Sequence, residues 1–337
     1  MQLAKVAVKK ETLKFVGRGF PMSSFQLTFR IILGTIGLIG TLTNVLMLYC
    51  LFKVEIASHL SVCLLRTQCL IDSYTCFMVF IHRLFGDSIS TGFPGLNKLL
   101  CYIWYGDSLF KLGTVFSVQN VVCISFERLC AVLQPITYKA HQVRLTIICY
   151  TYLIVMSLYI IIPGYLVRRY EAGRCRFDTN ENSNIMGVFI RVQFYLWLIL
   201  YHLFPTLFLI GSHVVIIRVA QRPVMHKPTD MLTWETKSVR RHVRRLTLST
   251  TVMATVLTLL RLSSTIQYIL FIAKVVPHIH GTWSEQANVA MIEIASTLNP
   301  CVLMVLISSL RGNWRSIVFC RPVFGTISYY ATAQNNG

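Results

Sequence analysis

The sequence predicts an all-α membrane protein, a bundle of seven transmembrane helices. Three observations carry this. Of the 337 residues 54% are hydrophobic and only 13% are charged. Mean hydropathy is +0.59. The apolar residues also gather in seven runs, each near the 20 or so residues that a helix needs to cross the hydrocarbon. A soluble domain needs far more charge to cover its surface, and chains of this length do not build one dry core of that size.

The runs follow in order. Ile31 to Phe52 is uncharged, and Ser61 to Phe85 is interrupted by Arg66 and Asp72. The third is long, Leu99 to Leu133, and carries Asp107, Lys111, Glu127 and Arg128. Leu145 to Val167 stops near Pro163-Gly164, and Val192 to Ile217 lies between Arg191 and Arg218. Leu246 to Val276 holds Arg261 and Lys274; Gln286 to Leu310 holds Glu293. Only the connections 168–190 and 218–245 are long, so one transmembrane domain, 31–310, is expected between an amino-terminal segment, 1–30, and a tail, 311–337. No internal repeat is visible, which argues against transporter folds built from duplicated halves. The basic amino-terminal segment has no signal-peptide core, so the first span is expected to act as the targeting signal.

A net charge of +19 invites a nucleic-acid partner, but the pattern excludes one. Lys and Arg sit in short segments between apolar runs, as anchors to lipid headgroups do, and no nucleic-acid-binding signature accompanies them. Membrane lipids are the partner they imply. The basic residues divide evenly between the two sides, so charge does not orient the chain. His82, His202 and His213 lack metal-ligand spacing, and no H-E-x-x-H occurs, which argues against an intramembrane metallohydrolase. Most of the eleven cysteines fall within the runs and read as small apolar packing residues. No Asn-x-Ser/Thr acceptor exists, which excludes N-glycosylation.

An ionised carboxylate at mid-membrane costs several kcal/mol unless solvated or paired, so Asp72 stands out. With it go Gly40-Thr-Leu-Thr-Asn44-Val, Glu127-Arg128-Leu129 followed by Ala131-Val132 and Pro135-Ile-Thr-Tyr138, then Pro205, Leu298-Asn299-Pro300 and Leu310-Arg311. In this order and spacing, over about Gly34 to Cys320, they resemble the rhodopsin-like (class A) family of G-protein-coupled receptors. Departures mark a divergent member. Leu129 and Leu303 stand where the family carries Tyr, the fourth run has no Trp, and Arg261-Leu-Ser-Ser264 replaces Cys-Trp-x-Pro.

The resemblance implies a plasma-membrane receptor, not an enzyme, with its amino end extracellular and its carboxyl end cytoplasmic. It would bind an extracellular ligand, activate a heterotrimeric G protein, and carry a short amphipathic eighth helix within 311–337. By resemblance Asn44, Asp72, Ser117 and Asn299 would form a sodium pocket, with Asp72 as metal ligand; a plain hydrogen-bond cluster is the alternative. Sodium, as an allosteric ligand, is the only cofactor-like group implied. Glu127, Arg128, Pro135, Arg244, Arg245, Pro300 and Arg311 would serve activation and coupling. Arg240 to Arg245 would also anchor to anionic lipid. Cys101 and Cys175, the two cysteines outside in this topology, would form the family's disulfide, and Cys320 is a palmitoylation candidate.

Phe110 stands at the place of the amine-binding Asp, and Glu293 at that of the retinal Lys, so neither a monoamine nor retinal is expected. The ligand residues would be Asp107, Phe110, Lys111, Arg261 and Glu293, whose charges either pair with one another or line a pocket. Lys111, Arg261 and Arg191, with four arginines from Arg168 to Arg176, make a basic vestibule that attracts anions. A peptide or other polar ligand bearing a carboxylate is expected. The rivals are a transporter or channel, and a receptor-like protein with impaired signalling.

Overall fold

The computed structural model describes residues 24–53, 58–86, 89, 91–166, 168–171, 174–177, 184–221, 234–273 and 283–306. Within them the chain forms α1 (Ser24–Lys53), α2 (His59–Phe85), α3 (Pro94–Ile103), α4 (Ser108–Leu133), α5 (Pro135–Ala140) and α6 (Gln142–Leu166). A hairpin of β1 (Arg168–Glu171) and β2 (Arg174–Phe177) follows. Then α7 (Asn184–Trp197) runs through a π-helical turn, Leu198–Leu203, into α8 (Phe204–Gln221), and α9 (Trp234–Ile272) and α10 (Trp283–Leu306) complete the bundle. Seven helices are long and apolar enough to cross a membrane, α3–α4 and α7–α8 each serving as one. This is an all-α, multi-pass membrane architecture. Its outer surface carries large apolar side chains such as Leu42, Leu70, Leu207 and Leu259, a coat that suits lipid rather than water.

The third span is the axis. Of its apolar window 72% is buried, against 28% for the first and fourth spans. α4 touches α2, α6, α8 and α9, while α1 packs on α2 and α10, and α10 on α9. Glycine permits the tightest of these contacts. A Cβ at Gly40 would lie 2.5 Å from Thr297 Oγ1 and 2.7 Å from Cys76 Sγ, so α1 wedges its backbone between α10 and α2 as small residues allow.

Four expectations are revised. The third run is two helices, because Gly106 (φ 66°) and Asp107 (φ 58°) adopt left-handed backbone and turn the chain between Ile103 and Ser108. The turn, Trp104-Tyr-Gly-Asp-Ser108, is locally polar, but it is short and apolar residues flank it on both sides, so the run reads as one span. The connection after α6 is partly an antiparallel hairpin that pairs Tyr170 with Cys175. α1 begins at Ser24 rather than Ile31, and Arg30 Nη2 donates to Leu84 O at 3.2 Å, satisfying a carbonyl that the end of α2 leaves open. α9 begins at Trp234 rather than Leu246: apolarity measures bilayer depth, and a helix continues past it wherever its polar residues favour helix. Residues 1–23 and 307–337, with the expected eighth helix, Arg311 and Cys320, lie outside the described residues.

Candidate functional site

Polar residues one helical turn apart share a face, and three such pairs meet at mid-bundle: Gln68 and Asp72 on α2, Ser117 and Asn120 on α4, Ser296 and Asn299 on α10. Asp72 is 0% exposed. Its Oδ1 accepts from Ser117 Oγ at 2.8 Å and Ser296 Oγ at 3.2 Å. Its Oδ2 accepts from Gln68 Nε2 at 2.9 Å and Asn299 Nδ2 at 2.6 Å. Asn120 Nδ2 in turn holds Gln68 Oε1 at 2.9 Å. Asn44 stands one step away, donating to Ser296 O at 3.1 Å and Gly40 O at 2.8 Å. In this arrangement donors surround the carboxylate. Turning the amides of Gln68 and Asn299 would present oxygens instead, the ligand type that a hard cation requires.

At the far end of α4, Arg128 and Glu127 are buried together. Arg128 Nε lies 2.5 Å from Glu127 Oε2, and Nη2 lies 2.9 Å from Oε1. Ser61 of α2 donates to Glu127 Oε1 at 2.8 Å and accepts from Arg128 Nη2. Tyr138 of α5 donates to Glu127 Oε1 and also bonds Ser58. Pro135 opens α5 at its first turn, where a missing N–H costs nothing, and so brings Tyr138 back under α4. The cluster clamps α2, α4 and α5 around one neutralised arginine. Pro300 lies inside α10. The side chains of Arg244 and Arg245, on α9, are outside the described part.

The fifth span is open at its π turn, because Pro205 has no N–H to offer the carbonyls before it. Other spans supply the donors. Gln119 Nε2 of α4 reaches Leu200 O at 3.1 Å, and Arg261 Nη2 of α9 reaches Tyr201 O at 3.2 Å. The Arg261 guanidinium also lies 4.1 Å from the centroid of the Tyr201 ring, a cation–π contact. Beside it His202 Nδ1 and Thr265 Oγ1 are 3.0 Å apart.

Opposite the Arg128 end, Cys101 and Cys175 form a disulfide, Cα–Cα 5.3 Å, that ties α3 to β2. Arg168 donates from Nη1 to Tyr102 O at 2.6 Å and to Ser108 Oγ, so this arginine is a buried strut and not an open vestibule charge. Asp107 Oδ1 lies 3.0 Å from His82 Nε2. With Phe110, Met78, Trp104 and Leu109 these two line a small, partly open hollow. Lys111 Nζ donates to Gly106 O at 3.0 Å. Arg261 turns to the fifth span, whereas Glu293 turns to α1 and α2.

Of the residues expected to bind ligand, the structure brings together Asp107 and Phe110. Of the two alternatives for these charges, mutual pairing does not hold for Arg261 and Glu293, which face different helices; Asp107 and Lys111 are only partly buried. Their spacing along the chain carries no information on which neighbour each faces. Gln68, Ser296, Ser61 and His82 were not singled out as partners of these sites. The signal for two of them existed, since Gln68 precedes Asp72 by one turn and Ser296 precedes Asn299 likewise. Ser61 and His82 had none, because their partners come from other helices. No protein-family model matches the chain, and no curated protein resembles it closely enough to count as a relative.

Proposed function

We propose that this chain is a rhodopsin-like G-protein-coupled receptor of the plasma membrane. It takes an extracellular ligand at the disulfide end and signals to a heterotrimeric G protein at the Arg128 end. The observation that carries this reading is the clamp on Arg128. An arginine held buried at the end of the central helix, by Glu127, Ser61 and the Tyr138-bonded carboxylate, supports a two-state reading. Closed, its charge is neutralised; once α2 and α5 let go, the guanidinium is free to meet a partner. Asp72, with Ser117, Ser296 and Asn299, is the candidate site for an allosteric sodium ion in the same bundle. The ligand is a peptide or other polar molecule bearing a carboxylate, and no bond is made or broken, so the protein is a receptor and not an enzyme. Its amino end is outside and its carboxyl end, with an eighth helix in 311–337, is cytoplasmic.

The test pairs the chain with a promiscuous G protein and a peptide library. A ligand should stimulate nucleotide exchange, and Arg128→Ala should lower that stimulation at least about tenfold at equal surface amount. Exchange that survives Arg128→Ala unchanged sinks the reading. One observation favours a second, non-signalling receptor: Leu303, where the family carries a tyrosine, is fully buried in the same apolar cluster as Met47 and Met253. That reading expects ligand binding with no exchange in the wild type.

A further inference from the structure

We propose that Glu293 is a buried proton-binding site, held as the neutral acid where α1, α2 and α10 meet. Glu293 is 0% exposed, and neither carboxylate oxygen has a hydrogen-bond partner. α1 presses bare backbone against it. A Cβ at Gly37 would stand 2.6 Å from Glu293 Oε1 and 2.8 Å from Cys76 O, so position 37 itself has no room for a side chain. On its own helix, Thr297 donates to the Glu293 main-chain carbonyl at 2.9 Å, not to the carboxylate.

The titratable groups around it do not pair with it either. α2 brings Cys76, whose Sγ lies 4.0 Å from Thr297 Oγ1, and Arg83. Arg83 forms no ion pair with Glu293, and its Nε is itself buried without a partner. Arg30 of α1 is engaged with the carbonyls of Arg83 and Leu84. Arg261 of α9 is engaged with Tyr201. Further along α2, Asp72 has its own donors.

An ionised carboxylate in this position would lack both water and any donor, which is the costly way to bury a charge. A neutral acid loses only the hydration of a polar group. Holding the proton is therefore the lower-energy state of this packing. Ionisation would draw Glu293 and Arg83 together. Gly37 leaves no slack on the α1 side, so α10 must shift against α2 for that pair to close. Proton release is thus coupled to the packing of the seventh span on the first two. None of this depends on the receptor reading.

Infrared spectra of the whole chain in lipid nanodiscs test the proposal. At neutral pH the wild type should show a protonated-carboxyl C=O band, shifted by deuterium, that Glu293→Gln lacks; Asp72→Asn assigns any band from Asp72. Thermal stability provides a second readout. The folded state keeps a proton that the unfolded chain releases above the ordinary glutamate range, so wild-type stability falls as pH rises, by up to about tenfold in the folding equilibrium per pH unit. Glu293→Gln should remove that slope. Identical carbonyl regions in two folded proteins, or a slope that the substitution leaves unchanged, overturns the proposal. If Glu293→Gln does not fold, Arg83→Gln decides: the acid band should be present both with and without Arg83. A band that appears only in Arg83→Gln means that Glu293 is ionised and leaning on Arg83, and the proposal fails.

Discussion

Tyr138 shows how much of this protein turns on single hydroxyls. Its phenol donates to Glu127 Oε1, and its pKa is pushed up to about 12, first by burial and then by the charge of Glu127 and the bond to it. The neutral phenol is therefore the form that the folded state prefers. An exposed tyrosine ionises near about 10. Between about 10 and about 12 the folded chain holds a proton that the unfolded chain has lost, so this contribution is full below that window and fades as pH rises through it. Tyr138→Phe should cost about 0.5–1.5 kcal/mol at neutral pH, the net worth of one hydrogen bond, and the order of the two proteins should reverse once the wild-type phenol has ionised beside Glu127. Thermal melts of both proteins across the alkaline range check this. A constant difference at every pH would remove Tyr138 from the clamp. Asp72 follows the same logic from the other side: its burial is tolerated because four donors converge on it, and none of those bonds can be inferred from the aspartate alone.

At the scale of the element, the fifth span is informative because its irregularity is answered elsewhere. Proline ends the supply of backbone donors to the π turn, and two other helices restore it through Gln119 and Arg261. This makes Arg261 a stitch between α9 and α8, fitted to a missing N–H. Arg261→Met keeps the length and apolar stem but strands Tyr201 O, at an expected cost of about 1–3 kcal/mol. Pro205→Ala returns an N–H to the turn. The double variant should then be less damaged than the sum of the two singles, a coupling of about 0.5–3 kcal/mol. Strict additivity in apparent stability would show that Arg261 and the proline gap are unrelated. The broken third span carries a similar lesson: Gly106 and Asp107 turn the chain within one long apolar run, and the turn positions Asp107 against His82.

For the whole molecule, seven spans send the ends of the bundle to opposite sides. The start of α1, the disulfide and the hairpin share one end; Arg128, Tyr138 and the close of α10 share the other. On the orientation proposed above, a tag at the amino end should stain on intact cells, and one at the carboxyl end only after permeabilisation. Non-reduced digests of surface protein should join the Cys101 and Cys175 peptides. A surface-accessible carboxyl tag, or both cysteines recovered as thiols, would invert this orientation.

The spans were legible in the sequence because lipid demands an apolar residue at nearly every outward position, and that demand is written along the chain without reference to neighbours. Asp72 and Arg128 were legible for the complementary reason, since a charge at such depth is too costly to be incidental. Helix turns that share a face also put Gln68 beside Asp72 and Ser296 beside Asn299. What only the tertiary structure decided was direction. Arg261 and Glu293 are both buried ionisable residues on adjacent spans, yet one turns to an open carbonyl on the fifth span and the other to a glycine on the first. Helical periodicity places a residue on a face of its own helix. Which partner that face meets depends on the rotation and depth of the other helices, and these are set by the packing of all seven at once.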